Sequence, residues 1–224
     1  MLIPRSPHRW SVSPKRAMAI QRELAGRVVV EPLAASVRWV AGADMAFSRD
    51  GGRCIGGVVV WDLVEGRVVE QRVAVRPVRF PYVPGLLSFR EAPAVLAAVR
   101  ALRTEPDAFI FDGQGYAHPR RFGLACHVGV ILDRPSLGCA KGRLIGEWNE
   151  RDLPSRRGRW TALRDDGETI GAVLRTRRAV KPVFVSVGHR IDLPSAVEVV
   201  LRASGRYRLP EPTRLADQLV ARSK

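Results

Sequence analysis

Long apolar runs are absent from this 224-residue sequence. None approaches the roughly 18 apolar residues that a membrane-spanning helix requires, which argues against a membrane protein. The first residues, MLIPRSPHRW, lack the apolar core of a secretion signal. Cysteine is scarce: Cys54, Cys126 and Cys139 are an odd number with no CxxC pair, so neither a disulfide framework nor a zinc ribbon follows from them. Repeats, low-complexity tails and obvious linkers are missing too. These absences predict a soluble cytoplasmic protein with one domain over residues 1–224, and no interface pattern argues against a monomer.

Acidic residues are also in short supply. Against 22 Asp and Glu stand 37 Lys and Arg, a formal charge of +15. Only Lys15, Lys141, Lys181 and Lys224 are lysines, and a base-composition bias could favour Arg over Lys. Such a bias does not explain the excess of base over acid, which favours a polyanionic partner such as nucleic acid or an anionic membrane surface. With 46% hydrophobic residues the chain can build a core without disulfides.

Punctuation and periodicity divide the chain into elements. Ser13–Pro14 reads as a helix start, with Ala17, Ile20, Gln21 and Leu24 at helical spacing and Gly26 as the stop. VRWVAGADMAF, CIGGVVVWDL and RVVEQRVAVRP read as three antiparallel strands joined by the turns RDGG and VEGR. FPYVPGLLSF reads as a shaped loop. In the helix APAVLAAVRALR, Pro93 suits only the first turn, which puts Glu91 at the entrance. AFIF is a strand buried on both faces, with Asp112 at its end. Residues 121–132 suit a helix containing Gly123 and Gly129, and strands are expected within 136–142, 160–177 and 180–188. Helices are expected at 194–203 and 211–222. The pattern is α+β or α/β, a mixed central sheet with helices outside.

Asp44 in mid-strand, Glu91, Asp112 and Asp217 in the final helix are the acids placed to do chemistry. Carboxylates suit Mg²⁺, a hard ion that binds phosphate oxygens alongside one or two of them. Each acid also has a bland reading. Asp44 could face solvent from an edge strand, Glu91 could complete a capping box with Ser88, Asp112 could satisfy the Gly113–Gly115 turn, and Asp217 could be an exposed helix acid near Arg214.

The wording around these acids is more specific. GADMAF (42–47), PYVPGLLSFRE (81–91), DGQGYAHPRRFGLACHVGV (112–130), CAKG (139–142) and PEPTRLAD (210–217) together resemble the endonuclease V family, in order and separation. The resemblance implies a ribonuclease H-like fold and a DNA-repair nuclease requiring Mg²⁺, with Mn²⁺ as a substitute. It also implies recognition of deoxyinosine in damaged DNA and hydrolysis of the second phosphodiester bond 3′ to it, leaving 3′-hydroxyl and 5′-phosphate ends. Carried over by motif, Asp44 and Asp112 are the principal metal ligands and Glu91 completes the acidic site. Asp217 matches a position where the family carries an acid or His. Lys141 lies near the phosphate or the metal-bound nucleophile, and His118 contacts the cleavage-side backbone or assists the leaving group. Pro81, Tyr82, Val83 and Pro84 correspond to the family's wedge, with Val83 where Ile is usual. The base pocket is lined by backbone around Gly85, Leu87, Gly113, Gly123 and Leu124. Hypoxanthine differs from adenine in O6 and a protonated N1, which a few backbone groups can read, and flipping is cheapest for a mispaired base.

Two rivals keep the charge but change the chemistry. One is an endoribonuclease acting on inosine in single-stranded RNA. The other is a non-catalytic nucleic-acid binder, which would have no need of four acids. His127 reads as a packed histidine, Cys126 and Cys139 as core residues. His189 ends a strand. The arginines at 156, 157, 159, 175, 177 and 178 read either as a solvated face or as a phosphate track.

Overall fold

The computed structural model describes residues 1–33 and 36–224. One eight-stranded sheet runs through it, in the order β3-β2-β1-β4-β5-β8-β7-β6. β1 (Trp39–Phe47), β2 (Arg53–Asp62) and β3 (Arg67–Pro77) form the antiparallel meander expected from the two turns. β4 (Ala108–Phe111) then joins β1 in parallel, and β5 (Ser136–Ala140) joins β4 in parallel. β6 (Trp160–Asp165), β7 (Glu168–Leu174) and β8 (Val183–His189) extend the sheet antiparallel beyond β5. This mixed sheet with flanking helices is the ribonuclease H-like arrangement expected.

Alternation along the central strands sorts side chains between two cores. Ala41, Ala43, Phe109 and Phe111 point into a core shared with α2 (Leu87–Arg100) and α3 (Leu124–Leu132). Val40, Ala108, Ile110, Leu137 and Cys139 point the other way, against α4 (Leu193–Ala203). α1 (Pro14–Ala25) starts where Ser13 and Pro14 predicted: the Ser13 side chain accepts from the Arg16 N–H. It packs Ala17, Ile20 and Leu24 against Phe89 and Phe122.

The last helix, α5 (Glu211–Ala221), lies against β1 and β2, and glycine makes that approach possible. A Cβ on Gly42 would stand 2.2 Å from the Pro212 carbonyl carbon, and one on Gly57 would meet Val220 Cγ1 at 2.5 Å. Without those two glycines the helix could not sit on the strands at this distance.

Two local expectations need correction. α2 begins at Leu87, so Pro93 lies inside the helix and Glu91 stands a turn in from the start. Pro93 forfeits one helical hydrogen bond, but the turn before it is held by Leu86 and Phe89, both buried against α1 and Phe122. Capping by Ser88 and Glu91 is thereby ruled out, and the Ser88 hydroxyl bonds His127 Nδ1 instead, at 2.8 Å. Gly123 is the residue before α3 rather than part of it. Arg121 has φ +52°, which is not helical, and a Cβ at Gly123 would stand 2.3 Å from the Gln114 carbonyl oxygen. His127 is packed as expected, and His189 ends β8, accepting from the Val29 N–H at 3.2 Å.

Gly42→Ala should cost roughly 1–3 kcal/mol, as overpacking of a filled interior does, because α5 must move out. Urea denaturation of the variant beside the parent measures this; an unchanged midpoint would mean that α5 does not need so close a seat.

Candidate active site

The register of the sheet brings the first two acids together. Ala43 pairs with Phe111 in the parallel β1–β4 ladder, and the Asp112 N–H extends that pairing to the Ala43 carbonyl at 3.2 Å. Asp44, within β1, and Asp112, just past the end of β4, therefore stand side by side on the same face. β1 is an interior strand, and Asp44 is 8% exposed, so the edge-strand reading of Asp44 does not hold. Asp44 Oδ1 accepts from the Met45 N–H at 2.8 Å. Lys141, just past β5, places Nζ 2.6 Å from Asp112 Oδ2.

The other two acids arrive from helices on opposite sides of the sheet. α5, on the Asp44 side, carries Asp217 to within hydrogen-bonding reach of Asp44. Arg214, the alternative partner of Asp217, is taken by Glu211 at 2.6 and 2.9 Å. α2, on the other side, carries Glu91, which is buried and acts electrostatically on Asp44.

Burial and proximity raise Asp44 and Glu91. Asp44 is pushed up to about 7, first by burial and then by the charge of Asp112; the Met45 N–H and Lys141 pull the other way. Glu91 is pushed up to about 8, by burial and then by Asp44, with Arg90 opposing. Burial works against the charge on Lys141, yet its hydrogen bond to Asp112 and the charges of Asp112, Asp44 and Asp217 leave its pKa raised. A single cation therefore answers several acids.

Among the described residues, no three acid, His or Cys side chains close into a ready-made metal cage. The donors nevertheless fit a hard divalent cation. They are oxygen ligands that oppose one another's ionisation, and Glu91 Oε2 is buried without any hydrogen-bond partner. An ion bound among them would relieve both features.

A cavity of about 350 Å³ opens beside the acids. It is lined by Tyr82, Val83, Pro84, Gly85 and Leu87 on one side and by Gly113, Gly123 and Leu124 on the other, all residues expected around a base. Pro81 does not line it. Tyr82 at the mouth is 70% exposed. Sequence reasoning missed Gln21, Ser88, Gln114, Arg143 and Leu144 in the lining. His118 also borders this cavity, and its ring bonds the Tyr82 loop rather than any acid: Nε2 donates to the Gly85 carbonyl at 2.9 Å, and Nδ1 accepts from the Arg120 N–H at 3.2 Å. Burial, then the charge of Arg120, lowers its pKa to about 4, so the ring is neutral near pH 7.

Because the folded protein raises Asp44 and Glu91 above their unfolded values of roughly 4, these two groups hold more protons than in the unfolded chain between about pH 4 and 8. Their contribution to metal-free stability therefore falls across that window as pH rises, opposed below about pH 6.5 by His118 and His127, which burial holds below the ordinary histidine value. Glu91→Gln should flatten this decline and raise the melting temperature near pH 8 in chelating buffer, with little effect near pH 4. Equal declines in both proteins would show that Glu91 is not held against its charge.

Comparisons with known proteins point to one family. A family model described as Endonuclease V matches residues 22–218. Endonuclease V of Nostoc sp. is 49% identical over 216 residues, 96% of this chain and 97% of the relative. The crystal structure of endonuclease V from Streptomyces avermitilis aligns with a TM-score of 0.92 at 42% identity, over 99% of this chain and 97% of that one. Ciona intestinalis endonuclease V, solved with a 23mer DNA containing an inosine followed by a ribo-adenosine, shares the fold with a TM-score of 0.83 at 23% identity, over 95% and 98% of the chains. On the extent of the family match and this level of identity, the chain belongs to the endonuclease V family of nucleases.

Proposed function

We propose that this protein is a Mg²⁺-dependent repair endonuclease that recognises deoxyinosine in DNA and hydrolyses the second phosphodiester bond on its 3′ side. The observation that carries the reading is the convergence of Asp44, Asp112, Glu91 and Asp217 from two strands and two helices, next to a base-sized cavity. The inosine-containing DNA bound by the Ciona protein supports the choice of lesion, and the +15 charge suits a polyanionic partner.

Asp44, Asp112, Glu91 and Asp217 would hold the ion, Mg²⁺ or Mn²⁺. When bound, it lowers the pKa of water and neutralises charge building on phosphoryl oxygens. Lys141, held beside Asp112, directs its positive charge toward a phosphate in the same cleft. Tyr82 presents its ring at the cavity mouth, where it fills the stack vacated by a displaced base. Pro81 and Pro84 fix φ on either side, so little loop entropy is lost on binding. The backbone at Gly85, Leu87, Gly113 and Gly123 supplies the donors and acceptors that read the base edge. His118, neutral and bonded at both nitrogens, braces the loop in this scheme.

Asp44→Ala and Asp112→Asn should each abolish nicking of a deoxyinosine duplex in Mg²⁺ while binding to it in Ca²⁺ persists. Wild-type nicking by either variant would remove the metal assignment. Inosine-containing RNA run on the same gel distinguishes the endoribonuclease, and absence of Mg²⁺-dependent cutting of either substrate by the parent would favour the non-catalytic binder.

Tyr82→Ala should weaken deoxyinosine-duplex binding about tenfold or more, given roughly 1–3 kcal/mol for an aromatic–base stack. Tyr82→Phe should keep most of the affinity. Since the ring is exposed, the melting temperature should barely move; a drop in stability without loss of lesion preference would refute the stacking role.

A further inference from the structure

One buried amide ties together the two walls of the cavity. Gln21, on the inward face of α1, is 1% exposed and borders the cavity. Its Nε2 donates to the Gly85 carbonyl at 3.1 Å and to the Phe122 carbonyl at 3.1 Å. Its Oε1 accepts from Arg120 Nε at 2.6 Å. The orientation is fixed by chemistry, because a flipped amide would set its oxygen against both carbonyls and its NH₂ against a guanidinium.

The three partners are well placed to control the cavity. Gly85 ends the Tyr82 loop and has φ +75°. A Cβ there would stand 2.7 Å from Arg120 Nη2, so the guanidinium packs directly on this backbone. The Gly85 carbonyl accepts from three donors: Gln21, His118 at 2.9 Å and Arg120 Nη2 at 2.6 Å. Phe122 is fully buried and immediately precedes Gly123, the start of the opposite wall. One side chain therefore spans both walls and also orients the arginine that packs on one of them.

We infer that Gln21 is a positioning residue for base selection, setting the separation of the Gly85 and Gly123 walls so that their backbone groups meet a purine lactam edge. The inference rests on the reading of the cavity as the base pocket. A buried side chain that only held α1 in place would need none of these wall carbonyls, since α1 already packs through Ala17, Ile20 and Leu24.

The test uses Gln21→Met, which keeps length but loses all three hydrogen bonds, and Gln21→Glu, which keeps the acceptor for Arg120 but loses both donors. Affinity for a deoxyinosine duplex and for the same duplex with deoxyadenosine is measured in Ca²⁺, and nicking kinetics in Mg²⁺. Because preference is a ratio, it is insensitive to any loss of folded protein. In both variants the preference should fall by about tenfold or more, one decade of relative affinity, with KM for the deoxyinosine duplex rising by more than kcat falls. A preserved preference, or equal weakening toward both duplexes, would overturn the positioning role while leaving the base-pocket reading intact. A parent protein with no preference for deoxyinosine would overturn both.

Discussion

Carboxylates repel one another, and they do so most strongly where water is scarce. This fold holds four of them near one point. The constraint that makes this possible is the parallel register of β1 and β4, which fixes Asp44 and Asp112 side by side on neighbouring strands regardless of what their charges prefer. Ladder hydrogen bonds and the cores on both faces of the sheet hold that register, so the acids cannot relax apart. The result is a site that resists its own ionisation, with Asp44 and Glu91 raised into the neutral range. A divalent ion bound among them, as proposed, would reverse the sign of the interaction and turn mutual opposition into shared ligation.

The cavity obeys a different rule. Its walls are largely backbone and small or apolar side chains, and its polar control is set one layer back. Arg120, His118 and Gln21 converge on the Gly85 carbonyl. Rigidity there comes from saturating one oxygen with donors, while Tyr82 beyond it remains free to meet a partner. Charge is concentrated on one side of the site and shape on the other, which under the proposed function would let recognition and hydrolysis be altered separately.

Much of this was legible in the sequence, for identifiable reasons. β-rich segments divided by the turns RDGG and VEGR predicted the meander, and the apolar AFIF predicted a central strand, because a sheet buried on both faces leaves little choice of residue. Asp44 and Asp112 stood out as acids in apolar strands. Glu91 was found but misplaced by a turn, since Pro93 reads locally as a helix start and only the burial of Leu86 and Phe89 overrides it. Gln21 was visible as an inward helix position, yet its partners lie 64 and 101 residues away. Gln114 and Arg143 in the cavity lining carried no local signal. Contacts of that range have no signature in a single chain.

The site also draws on residues spread from Asp44 to Asp217, and α5 reaches β1 only because Gly42 and Gly57 leave it room. A chain emerging from the ribosome can form the meander and even pair β1 with β4 before residues 211–221 exist. It then has a sheet with one flank uncovered and an acidic centre lacking its fourth member. Docking of α5 closes the core over Ala46 and Ile55 and delivers Asp217 in the same event. The covering of that apolar flank and the completion of the acidic centre are thus timed by a single helix, synthesised after the sheet that it covers.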